Sequence, residues 1–408
     1  VGKHKKECLN CGKEITGWAL SCECQSFLRA NYINSFKTQD LPGMWKYIDW
    51  LPCNRPLNTT SGPVTYKSSG FAKELGLKNL FISFNGYWPE KNALNMTCSF
   101  KDLEASPTVS FAMDHGINSL LIASAGNTAR AFAHVANNTD FKVYLVVPEP
   151  YLYRLWTPEE QSKNVHLIAV KGDYLDAINI GGRITTEQEI PQEGGAKNIA
   201  RRDGMGTVML DAANSIGRIP DHYFQAIGSG TGGIACWEMA KRLECCEWDN
   251  NLRLHLSQNL PFVPIFNAWL AGRNKIIDDD MPNAKESIAQ LYSTVLSNRN
   301  PPYSIQGGVY DALKDTNGKM YAISNDKAKE AKKLFESKEE IDTLKAADIA
   351  VASLIQAVEN DQIPKNDIVL LNITGGGLIR LKEDKDLFQI TPNIVIEEYD
   401  ELKNYNYL

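Results

Sequence analysis

The chain has no long apolar run, no internal repeat, no low-complexity linker and no basic block beyond Lys3-His4-Lys5-Lys6. Nothing in it approaches the roughly 20 apolar residues that a helical bilayer span requires, and its first residues carry no apolar segment of the secretory kind. The expectation is a cytoplasmic protein with no membrane partner. A net charge of −6 over 408 residues excludes a basic footprint for nucleic acid, and the short basic cluster reads as a solvated tail. The six histidines lack metal-ligand spacing, so His115, His134 and His166 read as structural. Nine cysteines in a chain of this length do not make a disulfide scaffold.

Four of those cysteines nevertheless crowd into the first 24 residues, as Cys8-Leu9-Asn10-Cys11-Gly12 and Cys22-Glu23-Cys24. Cys8, Cys11, Cys22 and Cys24 are soft ligands in two close pairs, enough for a tetrahedral zinc site with no open position. The second pair is one residue tighter than an ordinary knuckle, so a remnant that no longer holds metal is an equal reading. Cys53, Cys98, Cys236, Cys245 and Cys246 read as buried small hydrophobes.

A composition 43% hydrophobic and 23% charged is globular, with chain enough for two domains. After an irregular Pro- and Trp-rich passage, short apolar runs predict strands at 79–84, 119–124, 142–147, 165–170, 222–227, 253–257 and 368–373. Helical spacing predicts helices at 71–77, 103–115, 128–137, 234–243, 327–336 and 346–359. Strands that alternate with helices and lack tight hairpin turns imply an α/β fold, its parallel sheets covered on both faces.

In such sheets ligands gather beyond the carboxyl ends of strands, where loops lead into helix N-termini. Two loops sit there. Ser124-Ala125-Gly126-Asn127-Thr128 can receive a carboxylate on backbone N–H groups and hydroxyls. Gly228-Ser229-Gly230-Thr231-Gly232-Gly233 can cradle an anion. The second also satisfies G-x-G-x-x-G, but the strand that follows ends in His255-Leu256-Ser257-Gln258-Asn259, without the acid a dinucleotide ribose needs. It therefore fits a monophosphate, with a plain glycine turn as the bland alternative. Lys101, in Ser99-Phe100-Lys101-Asp102, would alone read as a surface lysine between Asp102 and Glu104. With the two loops and the turn Thr374-Gly375-Gly376-Gly377 it reads as the lysine of a pyridoxal phosphate enzyme.

These motifs resemble those of the fold-type II pyridoxal phosphate enzymes, tryptophan synthase β-like in fold, and within them the threonine synthase branch. The similarity spans about residues 55 to 385. Asp40-Leu41-Pro42-Gly43, Asp49-Trp50-Leu51-Pro52 and Thr97-Cys98-Ser99-Phe100-Lys101 resemble the cysteate synthase subgroup. Lys101-Asp102 is followed by Leu103-Glu104-Ala105, where threonine synthases carry Arg-Gly, a departure from threonine synthesis.

The resemblance implies a Cys-rich segment 1–30, a large cofactor domain of 31–105 and 200–408, and a small domain of 106–199. It implies Lys101 as Schiff-base residue and proton shuttle, and Asn127 on the cofactor's ring hydroxyl. Gly228, Ser229, Gly230, Thr231, Gly232 and Gly233 would hold the cofactor phosphate, and Thr374 the ring nitrogen. Ser124, Ala125, Gly126 and Thr128 would hold the substrate carboxylate. The implied reaction is β-replacement of the phosphate of O-phospho-L-serine by sulfite, in a homodimer or larger homo-oligomer. Arg130 is the first candidate for the substrate phosphate, with a solvent-facing helix charge as its alternative; Lys67, Lys171 and Arg380 follow. Two other functions stand beside this one: threonine synthesis from O-phosphohomoserine, and an inactive homologue serving as a zinc-bearing binding module. If the cysteines are only structural, removal of residues 1–30 should leave the cofactor site formed.

Overall fold

The computed structural model describes residues 3–124 and 126–404, and its core is two sheets sheathed by helices. The larger sheet runs in the spatial order Lys319–Ile323, Arg253–Asn259, His222–Ala226, Ile368–Ile373, Asn79–Phe84, Val64–Lys67. All neighbours are parallel except the last pair, where Val64 faces Phe84 and Lys67 faces Phe81. The smaller sheet, Ile394–Ile396, Val165–Val170, Lys142–Pro148 and Ser119–Ala123, is parallel throughout. Its central strands are buried apolar runs such as Val143, Leu145, Val146 and Val147, because helices cover both faces.

Each strand expected from the sequence is present, with ends shifted by no more than two residues. The expectation missed the edge strands Val64–Lys67 and Lys319–Ile323 and the helices Tyr174–Gln188 and Ile199–Ile216. The last of these carries Gly204, Gly206, Arg201, Arg202 and Asp203, which blur its apolar stripe, yet tertiary packing buries it from Ile199 to Ala213. Residues after 388 depart from the expected large domain. Ile394–Ile396 hydrogen-bonds to Val165–Val170 as the edge of the smaller sheet, and Phe388–Gln389 pairs with Trp156–Thr157.

The N-terminal segment is part of the main core. Strands His4–Cys8 and Leu28–Tyr32 form an antiparallel pair, and Phe27, Leu28 and Ala30 are buried in one cluster with Trp45, Tyr223 and Leu256. The basic cluster is no solvated tail: Lys3 Nζ donates to the Ile48 carbonyl at 2.6 Å, and Lys6 is buried against the Gly17 carbonyl. Burial pushes the Lys6 ammonium down to about 8. Cys53, Cys98 and Cys236 are buried, whereas Cys245 is exposed and Cys246 half-exposed just past the C-terminal end of helix Thr231–Glu244. Among the described residues no helix is long and apolar enough to cross a membrane.

Candidate active site

Lys101 is brought to the sheet by its neighbours. The Phe100 amide donates to the Thr374 carbonyl at 3.0 Å, the Gly376 amide donates to the Cys98 carbonyl at 3.1 Å, and Ser99 bridges to Gly375. The lysine loop and the late glycine turn are thus one structure. Asp102 is 1% exposed, accepts from the Thr97 amide at 3.0 Å and from the Thr97 hydroxyl, and so anchors the first turn of helix Asp102–Asp114 behind the lysine.

That helix aims Glu104 along the same face. Lys101 Nζ lies 3.1 Å from Glu104 Oε2, which also meets Arg201 Nε at 3.1 Å, and Arg201 Nη1 donates to Glu193 Oε1 at 2.5 Å. Cations and anions alternate in this row. Burial pulls the Lys101 ammonium below its usual 10.5, Glu104 opposes the fall and Arg201 adds to it. Against its own burial, Glu104 and Glu193 hold Arg201 firmly charged. An amine in this setting is neutral more often than an exposed lysine, as a nucleophile and proton acceptor must be.

The 228–233 loop leaves strand His222–Ala226 and starts helix Thr231–Glu244. Gly230 caps that helix at φ +84°, and a Cβ there would stand 2.3 Å from Val309, so the position needs glycine on both counts. The helix's first N–H groups have no intrahelical acceptor and carry the positive end of its dipole. Gly233 lies behind the loop, where a Cβ would meet Leu256 at 3.0 Å, and serves helix–strand packing.

In the other loop the Ser124 hydroxyl accepts from the amides of Gly126 at 3.1 Å and Ala129 at 3.2 Å, holding the start of helix Asn127–Asn137. Gly126 adopts φ +144° there. Ala125 lies outside the described residues. Lys101, Ser124, Gly126, Asn127, Thr128, the loop from Gly228 to Gly232, and Thr374 all line one cavity of about 840 Å³.

Arg130 does not. It is 4% exposed, stacks at 4.1 Å on Trp156 and donates to the carbonyls of Thr97 at 2.7 Å and Arg154 at 3.2 Å. Neither the phosphate role nor the solvent-facing alternative describes it, because its helix is buried on almost every side from Ala129 to Ala136. Lys67 and Lys171 are exposed, and Arg380 is paired with Glu90, Glu383 and Asp384. Besides Lys101, the cations that line the cavity among the described residues are Arg201 and Lys197, and both were missed, as were Glu193 and Tyr174. One signal was available: Arg201-Arg202-Asp203 interrupts a helix of small and apolar residues, and buried charges are kept only where they are paired.

The side chains fit pyridoxal phosphate. Among the described residues Asn127, Thr128 and Thr374 have no side-chain hydrogen-bond partner, although all three line the cavity and Thr374 is 6% exposed. Asn127 and Thr128 are half-buried, so these three side chains present free polar groups to the cavity, where a ligand can take them up. A phosphate fits the glycine loop's amide-lined rim, and a carbonyl fits Lys101.

The comparisons agree with this geometry. Residues 66–375 match the family described as pyridoxal-phosphate dependent enzyme. The chain is 52% identical to a cysteate synthase of Methanosarcina acetivorans over 98% of both chains. It is 51% identical to one of Methanocella paludicola, over 97% of this chain and 95% of that one. The fold is also that of maize serine racemase, with TM-score 0.57, 15% identity, and 84% and 93% of the two chains covered. Serine racemase of Dictyostelium discoideum gives TM-score 0.56 at 17% identity, covering 77% of this chain and 92% of the other. An α/β fold, a cavity built around Lys101 and this whole-length likeness together assign the chain to the cysteate synthase family of pyridoxal-phosphate dependent enzymes.

Proposed function

We propose that this enzyme converts O-phospho-L-serine and sulfite to L-cysteate and phosphate. The observation that carries the reading is the 52% identity to a cysteate synthase across 98% of each chain. The cavity supports it with the residues such a replacement needs. When bound, pyridoxal phosphate supplies an electron sink for negative charge at the substrate Cα. Lys101 would carry the cofactor, Asn127 would meet its ring hydroxyl, Thr374 its ring nitrogen and the loop from Gly228 to Gly232 its phosphate, with Gly233 packed behind. Ser124, Ala125, Gly126 and Thr128 receive the substrate carboxylate at a helix N-terminus.

The Lys101 amine takes the Cα proton and later returns it. The Cβ–O bond breaks with its electron pair leaving on phosphate, and the sulfur lone pair of sulfite forms the Cβ–S bond. Both the departing and the arriving group are anions and need a cation that is not already spent. Arg201 is shared between two carboxylates, whereas among the described residues Lys197 donates to the Gln25 amide oxygen alone, at 3.3 Å, so we assign the anion contact to Lys197 rather than Arg130. A cytoplasmic setting and a homodimer or larger assembly belong to the same proposal.

The test is product analysis of the cofactor-loaded protein by mass spectrometry, with a phosphate assay alongside. One phosphate released per cysteate, with no cysteate when sulfite is withheld, is the expected result. Threonine from O-phosphohomoserine, without cysteate from O-phosphoserine, would overturn it.

A further inference from the structure

We infer that Cys8, Cys11, Cys22 and Cys24 bind one zinc ion, and that this ion fixes the wall of the reaction cavity which meets the anionic substrates. The second half rests on the function proposed above. The four Sγ atoms lie within 4.8 Å of one another, with Cys8 to Cys24 and Cys11 to Cys22 both at 3.5 Å. A disulfide would bring two sulfurs to about 2.05 Å and leave the pairs independent. Four sulfurs about 2.3 Å from a tetrahedral zinc instead stand roughly 3.8 Å apart around a common centre, a value that falls between the 3.5 Å of the two close pairs and the 4.8 Å that bounds the cluster.

The backbone is shaped for this. Each cysteine pair brackets a tight turn: the Gly12 amide donates to the Cys8 carbonyl at 3.0 Å, and the Gln25 amide to the Cys22 carbonyl at 2.8 Å. Gly12 and Gln25 both hold positive φ, at 69° and 62°. The two turns are brought together where strand His4–Cys8 pairs with Leu28–Tyr32 and the Leu9 amide donates to the Phe27 carbonyl at 3.0 Å, so the backbone already sets one cysteine pair beside the other. Cys8 and Cys22 are buried and Cys11 and Cys24 exposed, which leaves one side of the cluster open to a chelator.

The residues beside the ligands reach the cavity. Leu20, Ser21 and Phe27 line it. Leu20 covers Gly194 so closely that a Cβ there would meet it at 2.6 Å, and Leu9 likewise covers Gly307 at 2.3 Å. Gln25, next to Cys24, receives Lys197, the cation assigned above to the anion contact. Losing the ion loosens Gln25 and Leu20, and with them the contacts that they make to Lys197 and Gly194 within the segment 192–197.

Elemental analysis of the purified holoenzyme is expected to give one zinc per chain, removable by chelator and restored by zinc alone. The double variant Cys11→Ser, Cys24→Ser, changed only at exposed positions, is expected to hold none. In the zinc-free wild-type protein hydrogen exchange should quicken at residues 20–27 and 192–197 while the cofactor's visible absorbance persists. KM for both anions should rise about tenfold, the loss of one hydrogen bond to a charged group, with kcat changed less. Two disulfides by peptide mapping, iron in place of zinc, or no metal after zinc titration would overturn the site. Zinc bound with exchange at 192–197 unaltered by its removal would overturn the coupling. Metal content and exchange are read without turnover, so failure of the proposed reaction stays separate from failure of this inference.

Discussion

Arg201 and Arg202 are consecutive on one helix, both buried and both paired with glutamate, yet they belong to different parts of the protein. Arg201 turns to the cavity, joining Glu104 and Glu193 beside Lys101. Arg202, about 100° around the helix, turns into the core. It meets Glu238 at 2.9 Å and donates to the carbonyls of Leu28 and of Ala196, the latter at 2.5 Å. Its guanidinium lies 4.7 Å from the Phe27 ring. Next to it Asp203 accepts from Tyr32 at 2.6 Å and from Arg242 at 2.7 Å. One register of the helix clamps the N-terminal strands to the core, and the next tunes a lysine. What separates function from scaffold here is a step of one residue on a buried helix.

The comparison breaks most visibly at Arg202. Arg202→Met leaves Glu238, whose side chain is wholly buried, with the looser contact to Arg29 at 3.5 Å and the more distant charge of Arg242. The expected cost is about 3–5 kcal/mol, read by urea unfolding, with the N-terminal strands loosened first. An unfolding midpoint equal to that of wild type would mean that Arg202 clamps nothing. The same clamp argues against the expectation that removal of residues 1–30 leaves the cofactor site intact, since Phe27, Leu28 and Ala30 would leave the core.

A smaller stability loss and a larger kinetic one are expected for Arg201→Met, whose site borders the cavity where water reaches it. Activity, as kcat/KM for O-phosphoserine, should fall by about 1.5–3 kcal/mol of transition-state free energy, the worth of a hydrogen bond to a charged group. If Arg201→Met and Arg202→Met lost stability and activity in the same proportion, the division of labour would be wrong.

Glu104→Gln should have the smallest effect, a displaced pH dependence. Glu104 raises the Lys101 pKa while burial lowers it, the balance falling below 10.5. In the role proposed for Lys101 the neutral amine would attack the cofactor carbonyl, and that form accumulates as pH rises through the pKa. Cofactor loading of the apoprotein, followed by visible absorbance, should thus speed up with a midpoint below the usual lysine value in wild type and lower still in Glu104→Gln. A midpoint moved upward would contradict the pairing.

Much of this site was legible in the sequence because each motif is a contiguous strand–loop–helix crossing. Ser124 to Thr128 and Gly228 to Gly233 each follow a strand and open a helix, a pattern that local sequence suffices to show and that suits an anion. The row Lys101, Glu104, Arg201, Glu193 was not legible, because three separate segments supply it and the Lys101–Glu104 pair imitates an ordinary surface pair. Arg130 misled for a related reason. Helical phase places it one turn past Asn127, but only the packing of Trp156 decides that it faces protein. The cysteines were legible as a cluster, though not their attachment: Leu20 and Gln25 touch residues more than 170 positions away.

The measurement that bears most directly on the whole account is a competition in one vessel, with isotope-labelled sulfite and equal O-phosphoserine and O-phosphohomoserine supplied to cofactor-loaded protein. Labelled cysteate as the main product, with the rate lowered on the order of 10²–10⁴-fold or more in Lys101→Ala, is the predicted result. Threonine without labelled cysteate, or a Lys101→Ala protein as fast as wild type, would contradict it.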